Sequence, residues 1–276
     1  MIIPLESTGH AAHALLDRSN WRFVLASDLD GTFLGGTRQM RRDLYQWIAR
    51  NRKNIGLIFV TGRDADFISD LCDSGEAPWP DYIIGDVGTT IAHVDPLTHT
   101  IMPIDKLEAH IRAAWNNGET FVRETLSGAS GLTPQDTPFR YRVSYHWDPD
   151  SFEPQCIAPI EAAGFDVLIS HGCFLDVLPR GISKGPSLLR LLTTLSIPHD
   201  RVLVAGDTLN DLSMFETGLR GAVVGEAEAA LLEATQNLPL AYRCAAPGAG
   251  GIMEAIRVFD LYPELPGGLP TGGMPA

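Results

Sequence analysis

No apolar run in this 276-residue chain approaches the roughly 20 residues that a membrane-spanning helix needs, so no membrane association is expected. Basic residues are scarce: 21 lysines and arginines stand against 34 aspartates and glutamates, for a formal net charge of −13. No lysine- or arginine-rich cluster is read as offsetting that charge, and nucleic acid is therefore not an expected partner. Cysteine is sparse too. Cys72, Cys156, Cys173 and Cys244 are scattered without metal-ligand spacing, which fits a reducing compartment, and the eight histidines form no metal-binding pair on one helix face. The amino terminus, MIIPLESTGHAAHALLDRSNWRF, lacks the basic start and long apolar stretch of a secretory leader, so the expected location is the cytoplasm. There is no repeat of fixed period. Residues 262–276 are too rich in proline and glycine to pack and are expected to be a disordered tail without chemistry.

What remains is the composition of a soluble globular enzyme, with 45% hydrophobic and 20% charged residues. Four short apolar runs read as buried parallel strands: residues 22–27 ending at Asp28, Ile55–Val60 ending at Thr61, Val202–Ala205 ending at Gly206 and Asp207, and Ala222–Val224 ending at Gly225. Helical patterns such as Arg41–Arg52 and Pro186–Leu195 intervene. The alternation predicts an α/β fold with a Rossmann-like parallel-sheet core covered by helices. In such sheets ligands bind outside the carboxyl ends of the strands, where Asp28, Thr61 and Asp207 stand. Residues 90–176 carry a helical stretch (Lys106–Asn116) and strand-like ones (Phe139–Trp147, Asp166–Ile169), and are expected to form an inserted α/β cap. The expected core is then 1–89 together with 177–261.

Four stations carry chemistry. Asp28-Leu29-Asp30-Gly31-Thr32 places two carboxylates two residues apart, on one side of an extended segment, with a glycine to turn the chain. Asp28 is already ionised at neutral pH and needs no base to attack phosphorus; Asp30 could protonate a leaving oxygen and later activate water. Thr61-Gly62-Arg63 offers a hydroxyl to a phosphoryl oxygen and a cation to a substrate. Lys184, in Gly181-Ile182-Ser183-Lys184-Gly185, could offset the charge of a pentacoordinate phosphorus and of clustered carboxylates. Gly206-Asp207-Thr208-Leu209-Asn210-Asp211 puts Asp207 and Asp211 four apart, on one face if the segment becomes helical. Asp28, the Asp30 carbonyl and Asp207 would make a hard-oxygen site for Mg2+. Singly, each station also reads as an ordinary turn, helix cap or surface lysine.

Together and in this order, SDLDGTF, VTGR, ISKG and GDTLND resemble the haloacid dehalogenase superfamily, over roughly residues 22–89 and 177–258. The resemblance implies a phosphatase with Mg2+ as cofactor. It makes Asp28 the nucleophile, Asp30 the acid/base, Thr61, Gly62 and Lys184 phosphate ligands, and Asp207 a metal ligand beside Asp28 and Asp30, with Asn210 and Asp211 supporting. The cap's position, with DVGTTI, YRVSY and FLDVLPRGISKGPSLLRLL, is similar to the subgroup of sucrose-phosphate phosphatases and related glycoside-phosphate phosphatases. That implies a phosphorylated sugar or glycoside as substrate. The chain departs from the subgroup at Arg142, where a lysine is expected, at Gly31 in place of asparagine, and in GDTLND.

Substrate choice is expected in the cap, because the core sees only the phosphoryl group. Arg142, Ser144, Tyr145, His146 and Trp147 are the candidates there, joined by Arg63 from the core's edge, with Arg123 and Glu124 behind them; alternation along a strand turns about half of such residues away from the cleft. Two other activities fit the same residues. One is a phosphosugar mutase, and the other a non-catalytic phosphosugar-binding partner of a glycosyltransferase.

Overall fold

The computed structural model of the chain describes residues 21–136, 139–170, 172–263 and 265. The amino-terminal segment read as lacking a leader lies outside them. So does most of the expected tail, although Tyr262 is buried, packs edge-on against Trp47 and donates a hydrogen bond to Asn51.

The core is one eight-stranded sheet. Strands β1 (Phe23–Ser27), β2 (Ile55–Val60) and β3 (Tyr82–Gly85) run parallel, and β4 (Thr90–Val94) and β5 (Ile101–Pro103) fold back antiparallel beyond β3. A second, four-stranded antiparallel sheet follows, from β6 (Leu132–Pro134), β7 (Val143–Trp147), β8 (Phe165–Ser170) and β9 (Phe174–Pro179), in the order β6-β7-β9-β8. The chain then returns to the core as β10 (Val202–Gly206), β11 (Arg220–Gly225) and β12 (Ala241–Pro247), giving the order β12-β11-β10-β1-β2-β3-β4-β5.

Every residue of β1 and β2 is buried, as expected of parallel strands covered on both faces. One face packs Phe23, Leu25, Leu57 and Phe59 against helices 38–50 and 248–258; the other packs Val24, Ala26, Ile58 and Val60 against helix 184–194. Helix Arg38–Arg50 starts where the Thr37 hydroxyl accepts the Met40 N–H, and it buries Leu44, Trp47 and Ile48, three and four residues apart.

The cap boundary expected at residue 90 falls inside a β-hairpin. Ile84 pairs with Ile91 and Ala92 with Pro103, so the core sheet runs on to Pro103 and the inserted unit begins after it. The period of a single strand fixes which side chains share a face, not which sheet it joins. Helices Asp105–Trp115, Glu119–Thr125 and Ile157–Ala162 cover one face of the second sheet, around Trp115, Val122, Tyr145, Ile160, Leu175 and Val177. Its other face looks toward the carboxyl ends of the core strands. No helix among the described residues is long and apolar enough to cross a membrane.

Candidate active site

The chain leaves β1 toward β2 on one side and comes back through β10 on the other, which opens a crevice at the carboxyl ends of β1 and β10. Asp28 sits there, its N–H donating to the Ala205 carbonyl at 2.9 Å. The chain next makes a wide turn over Leu29–Phe33, with Asp30 extended and Gly31 at φ +77°. Glycine suits that dihedral, and it also gives Asp207 room, since a Cβ on Gly31 would lie 2.1 Å from Asp207 Oδ2. From the same turn the Thr32 hydroxyl donates to Asp207 Oδ1 at 2.6 Å.

Lys184 opens helix Lys184–Thr194 and is fully buried. Its ammonium donates three hydrogen bonds, to Asp28 Oδ1 (2.7 Å), Asn210 Oδ1 (2.7 Å) and Asp211 Oδ1 (2.6 Å), which uses every proton it has. Asp211 Oδ2 accepts the backbone N–H groups of Asp207 and Thr208, and Thr208 Oγ1 donates to Asn210 Oδ1. Asn210 and Asp211 thus orient Lys184 and the loop that carries Asp207.

Asp28, Asp207 and Asp211 each offer a carboxylate oxygen within 4.8 Å of the others. One ammonium offsets three carboxylates. Burial pushes the Asp28 carboxyl well above its ordinary range, against the pull of Lys184, with Asp211 and Asp207 adding to the rise. Asp207 is pushed up to about 7, by burial first and by Asp211 next among the raising causes, while the Thr32 hydroxyl draws it down. Burial disfavours the Lys184 charge, but Asp211 and Asp28 outweigh it and its pKa is raised. Hard oxygens in this charge deficit fit a small divalent cation, and Asp28 and Asp207 have oxygens to spare once Asp211 is taken by Lys184 and two amides.

Asp30 stands at the rim, its carboxylate held by Arg63 in a two-pronged ion pair (Nε–Oδ2 2.8 Å, Nη2–Oδ1 3.2 Å), with both side chains partly exposed. Thr61 is buried at the end of β2, and its hydroxyl oxygen accepts the Arg63 N–H. Gly62, not Thr61, lines the cleft of about 340 Å3 that Asp28, Asp30 and Arg63 share with the cap. Beside Gly62, Asp86 and Val87, whose N–H groups donate to the Arg63 and Thr61 carbonyls, take φ values of +52° and +57°, strained for any residue with a side chain and most of all for a β-branched valine.

The cap candidates divide. Arg142 is buried just before β7, stacks on Phe139 at 3.5 Å and lines the cleft. Ser144 is also buried, and its hydroxyl is taken by Asp176 of β9. Tyr145 points the other way, into the cap's own apolar core, as alternation along β7 requires. His146 is exposed beside Phe174, Trp147 packs on Phe152, and Arg123 pairs with Glu119 along its helix. Neither Arg123 nor Glu124 lines the cleft. The sequence reading missed Gln135, Phe139, Ser170 and Phe174, which do. Ser170 and Phe174 end β8 and open β9, and a pairing of those two runs as a hairpin aimed at the core would have singled them out.

Residues 21–260 match the family described as sucrose-6F-phosphate phosphohydrolase. The chain is 41% identical over 237 residues to a protein from Pseudomonas anguilliseptica named glucosylglycerol-phosphate synthase, a match that covers 86% of this chain and 30% of that one. It is 29% identical to mannosylfructose-phosphate phosphatase of Agrobacterium fabrum, over 87% of this chain and 98% of that one. It is 30% identical to sucrose-phosphatase 1 of Nicotiana tabacum, of which it spans 60%. Among solved structures, the sucrose-phosphatase of Synechocystis in complex with sucrose and phosphate aligns with a TM-score of 0.78 at 28% identity, covering 87% of this chain and 98% of that one.

Proposed function

Because this chain belongs to the sucrose-6F-phosphate phosphohydrolase family, and so to the phosphatases of the haloacid dehalogenase superfamily, we propose that it hydrolyses a phosphomonoester of a sugar or glycoside, with Mg2+ bound and Asp28 as the nucleophile. The observation that carries the reading is the carboxylate cluster around Lys184 at the floor of a cleft shared by core and cap.

In this reading Asp28 attacks phosphorus and becomes the aspartyl phosphate, while Asp30, freed from Arg63 and protonated from solvent, gives that proton to the departing sugar oxygen. The same carboxylate then takes a proton from the water that attacks the aspartyl phosphate. Once Asp28 carries the phosphoryl group, Lys184 exchanges its hydrogen bond to Asp28 Oδ1 for a phosphoryl oxygen, and the Thr61–Gly62 segment holds the others. A bound Mg2+ would supply the positive charge that lets anionic Asp28 meet an anionic phosphate, with Asp28, Asp207 and the Asp30 carbonyl as its protein ligands. Arg142, Gln135, Ser170 and Phe174 face the leaving group.

The relatives' names support glycosides of the sucrose, mannosylfructose and glucosylglycerol kind, without choosing among them. The proposal extends to a cytoplasmic setting, consistent with four unpaired cysteines, and to a glycosyltransferase partner, since the synthase-named relative is far longer than the stretch that matches. Phosphate release is measured across a panel of glycoside phosphates that includes sucrose 6-phosphate and glucosylglycerol 3-phosphate, with magnesium and then with chelator. Magnesium-dependent release with a preference for one glycoside is expected. Phosphate retained on the sugar at a new hydroxyl would replace hydrolysis with the mutase reaction.

A further inference from the structure

Away from the catalytic cleft lies another, of about 490 Å3, lined by Arg38, Arg41, Arg42, Tyr45, Gln46 and Glu76 among others. The sequence was read as having no basic cluster, yet the first turns of helix 38–50 bring three arginines onto one face, at spacings of three and four. That placement costs the helix, because cations at the amino end oppose its macrodipole and its first turn holds no acidic residue. Glu76 shares the cleft but forms no ion pair with these arginines. Among the described residues Arg38 and Arg42 make no hydrogen bond or ion pair, in a chain with 34 acidic side chains. Arg41 donates only to carbonyl oxygens, those of Leu34 (3.1 Å) and Gly36 (2.7 Å).

Those carbonyls give the cleft its connection. They belong to the segment that directly follows the Asp28–Phe33 turn, and Tyr45 grips the same turn, its hydroxyl donating to the Phe33 carbonyl at 2.8 Å and its ring stacked on Phe33 at 4.8 Å. A group that draws Arg41 into the cleft therefore takes a donor away from the backbone behind the nucleophile.

We propose that this cleft is a second binding site, for a small phosphate-bearing polyol, and that its occupancy is felt by the catalytic turn. Arginines left without carboxylate partners suit a phosphate, which guanidinium groups bind in pairs of hydrogen bonds, while Gln46 and Glu76 are placed to bond hydroxyl groups. A concave site of this volume lies in the range of small-molecule pockets, about 300–1,000 Å3, and selects a metabolite-sized ligand over a flat protein surface.

Calorimetric titration of the whole chain with glycerol 3-phosphate and with inorganic phosphate, in the presence of chelator, reads binding without turnover. The expected result is a saturable site that prefers glycerol 3-phosphate and weakens at least about tenfold in the Arg38→Gln/Arg42→Gln variant. Absence of binding, or equal binding by the double variant, overturns the site; equal affinity for the two ligands overturns its polyol specificity. The second measurement is inhibition of aryl phosphate hydrolysis by glycerol 3-phosphate. A noncompetitive component present in the wild type, and lost in the double variant at unchanged kcat, is expected, and purely competitive inhibition of the wild type overturns the link to the catalytic turn.

Discussion

Arg142 of the cap donates from Nη2 to the carbonyl oxygen of Gly62 in the core, 2.9 Å away. Its Nη1 donates to Asp176 of β9 at 3.2 Å, and Asp86 of the core lies 3.8 Å from Nη2. This guanidinium thus ties the cap sheet to the loop after β2. Arg142→Ala is expected to raise KM for the glycoside phosphate by about tenfold, the worth of one charge-assisted hydrogen bond, and to leave a small aryl phosphate nearly unaffected. Equal effects on both substrates would remove the cap from substrate choice. Since the change leaves Asp176 and Asp86 buried without their cation, the denaturant midpoint should fall by the equivalent of about 3 kcal/mol.

Asp28→Asn keeps the shape of the site, and Lys184 keeps Asn210 and Asp211 as partners. An amide cannot form the acyl phosphate, so kcat should drop by on the order of a thousandfold or more while near-ultraviolet circular dichroism stays native. Retention of even about a tenth of the activity would assign the nucleophile elsewhere.

The carboxyl of Asp207, pushed up from 3.8 to about 7, makes stability depend on pH in a direction opposite to that of a salt-bridged aspartate. The folded chain holds this proton more tightly than the unfolded one, so without a cation stability should fall as pH rises from about 4 through about 7. A divalent ion takes the proton's place. Thermal melting should therefore show magnesium stabilising the protein much more at about pH 8 than at about pH 5; equal stabilisation at both would separate Asp207 from the cation.

Gly31→Ala meets two obstacles, a φ of +77° and the Asp207 carboxylate 2.1 Å from the added carbon. The left-handed dihedral alone costs about 1–2 kcal/mol. The larger effect is expected at Asp207, which must move off Thr32, so magnesium binding measured by titration should weaken more than the midpoint of unfolding shifts. The reverse order would mean that Asp207 does not bind the ion.

The convergence of the proposed catalytic residues was legible because Asp28, Thr61 and Asp207 each follow a run that is apolar on both faces, and such runs place their carboxyl-terminal neighbours together. Asp28 after β1 and Asp207 after β10 are the clearest pair, and Lys184 joins them from a helix start. The cap was less legible. Thr90–Val94 carries no local mark of the sheet it joins, yet pairs with β3, and in β7 nothing local says that Tyr145 turns into the cap's own core while Ser144 turns to Asp176. Ser170 and Phe174 reach the cleft only through the β8–β9 pairing, which is a property of two segments and not of either. The arginines of helix 38–50 were passed over because their meaning depends on what does not pair with them.

Among the described residues the covalent chain passes between core and cap twice, after Pro103 at the end of β5 and after Pro179 at the end of β9. No core strand is interrupted by the insertion. The unit between these points is in effect a cassette, and a cap from a relative that cleaves another glycoside phosphate can be exchanged for it without cutting the central sheet. The graft must respect Arg142, which answers to Gly62, and Glu108, which accepts the Ile91 N–H from the core hairpin. With those contacts matched, together with that of Arg140 to the Thr90 hydroxyl, leaving-group preference becomes a transplantable trait, while the phosphoryl chemistry stays with the host.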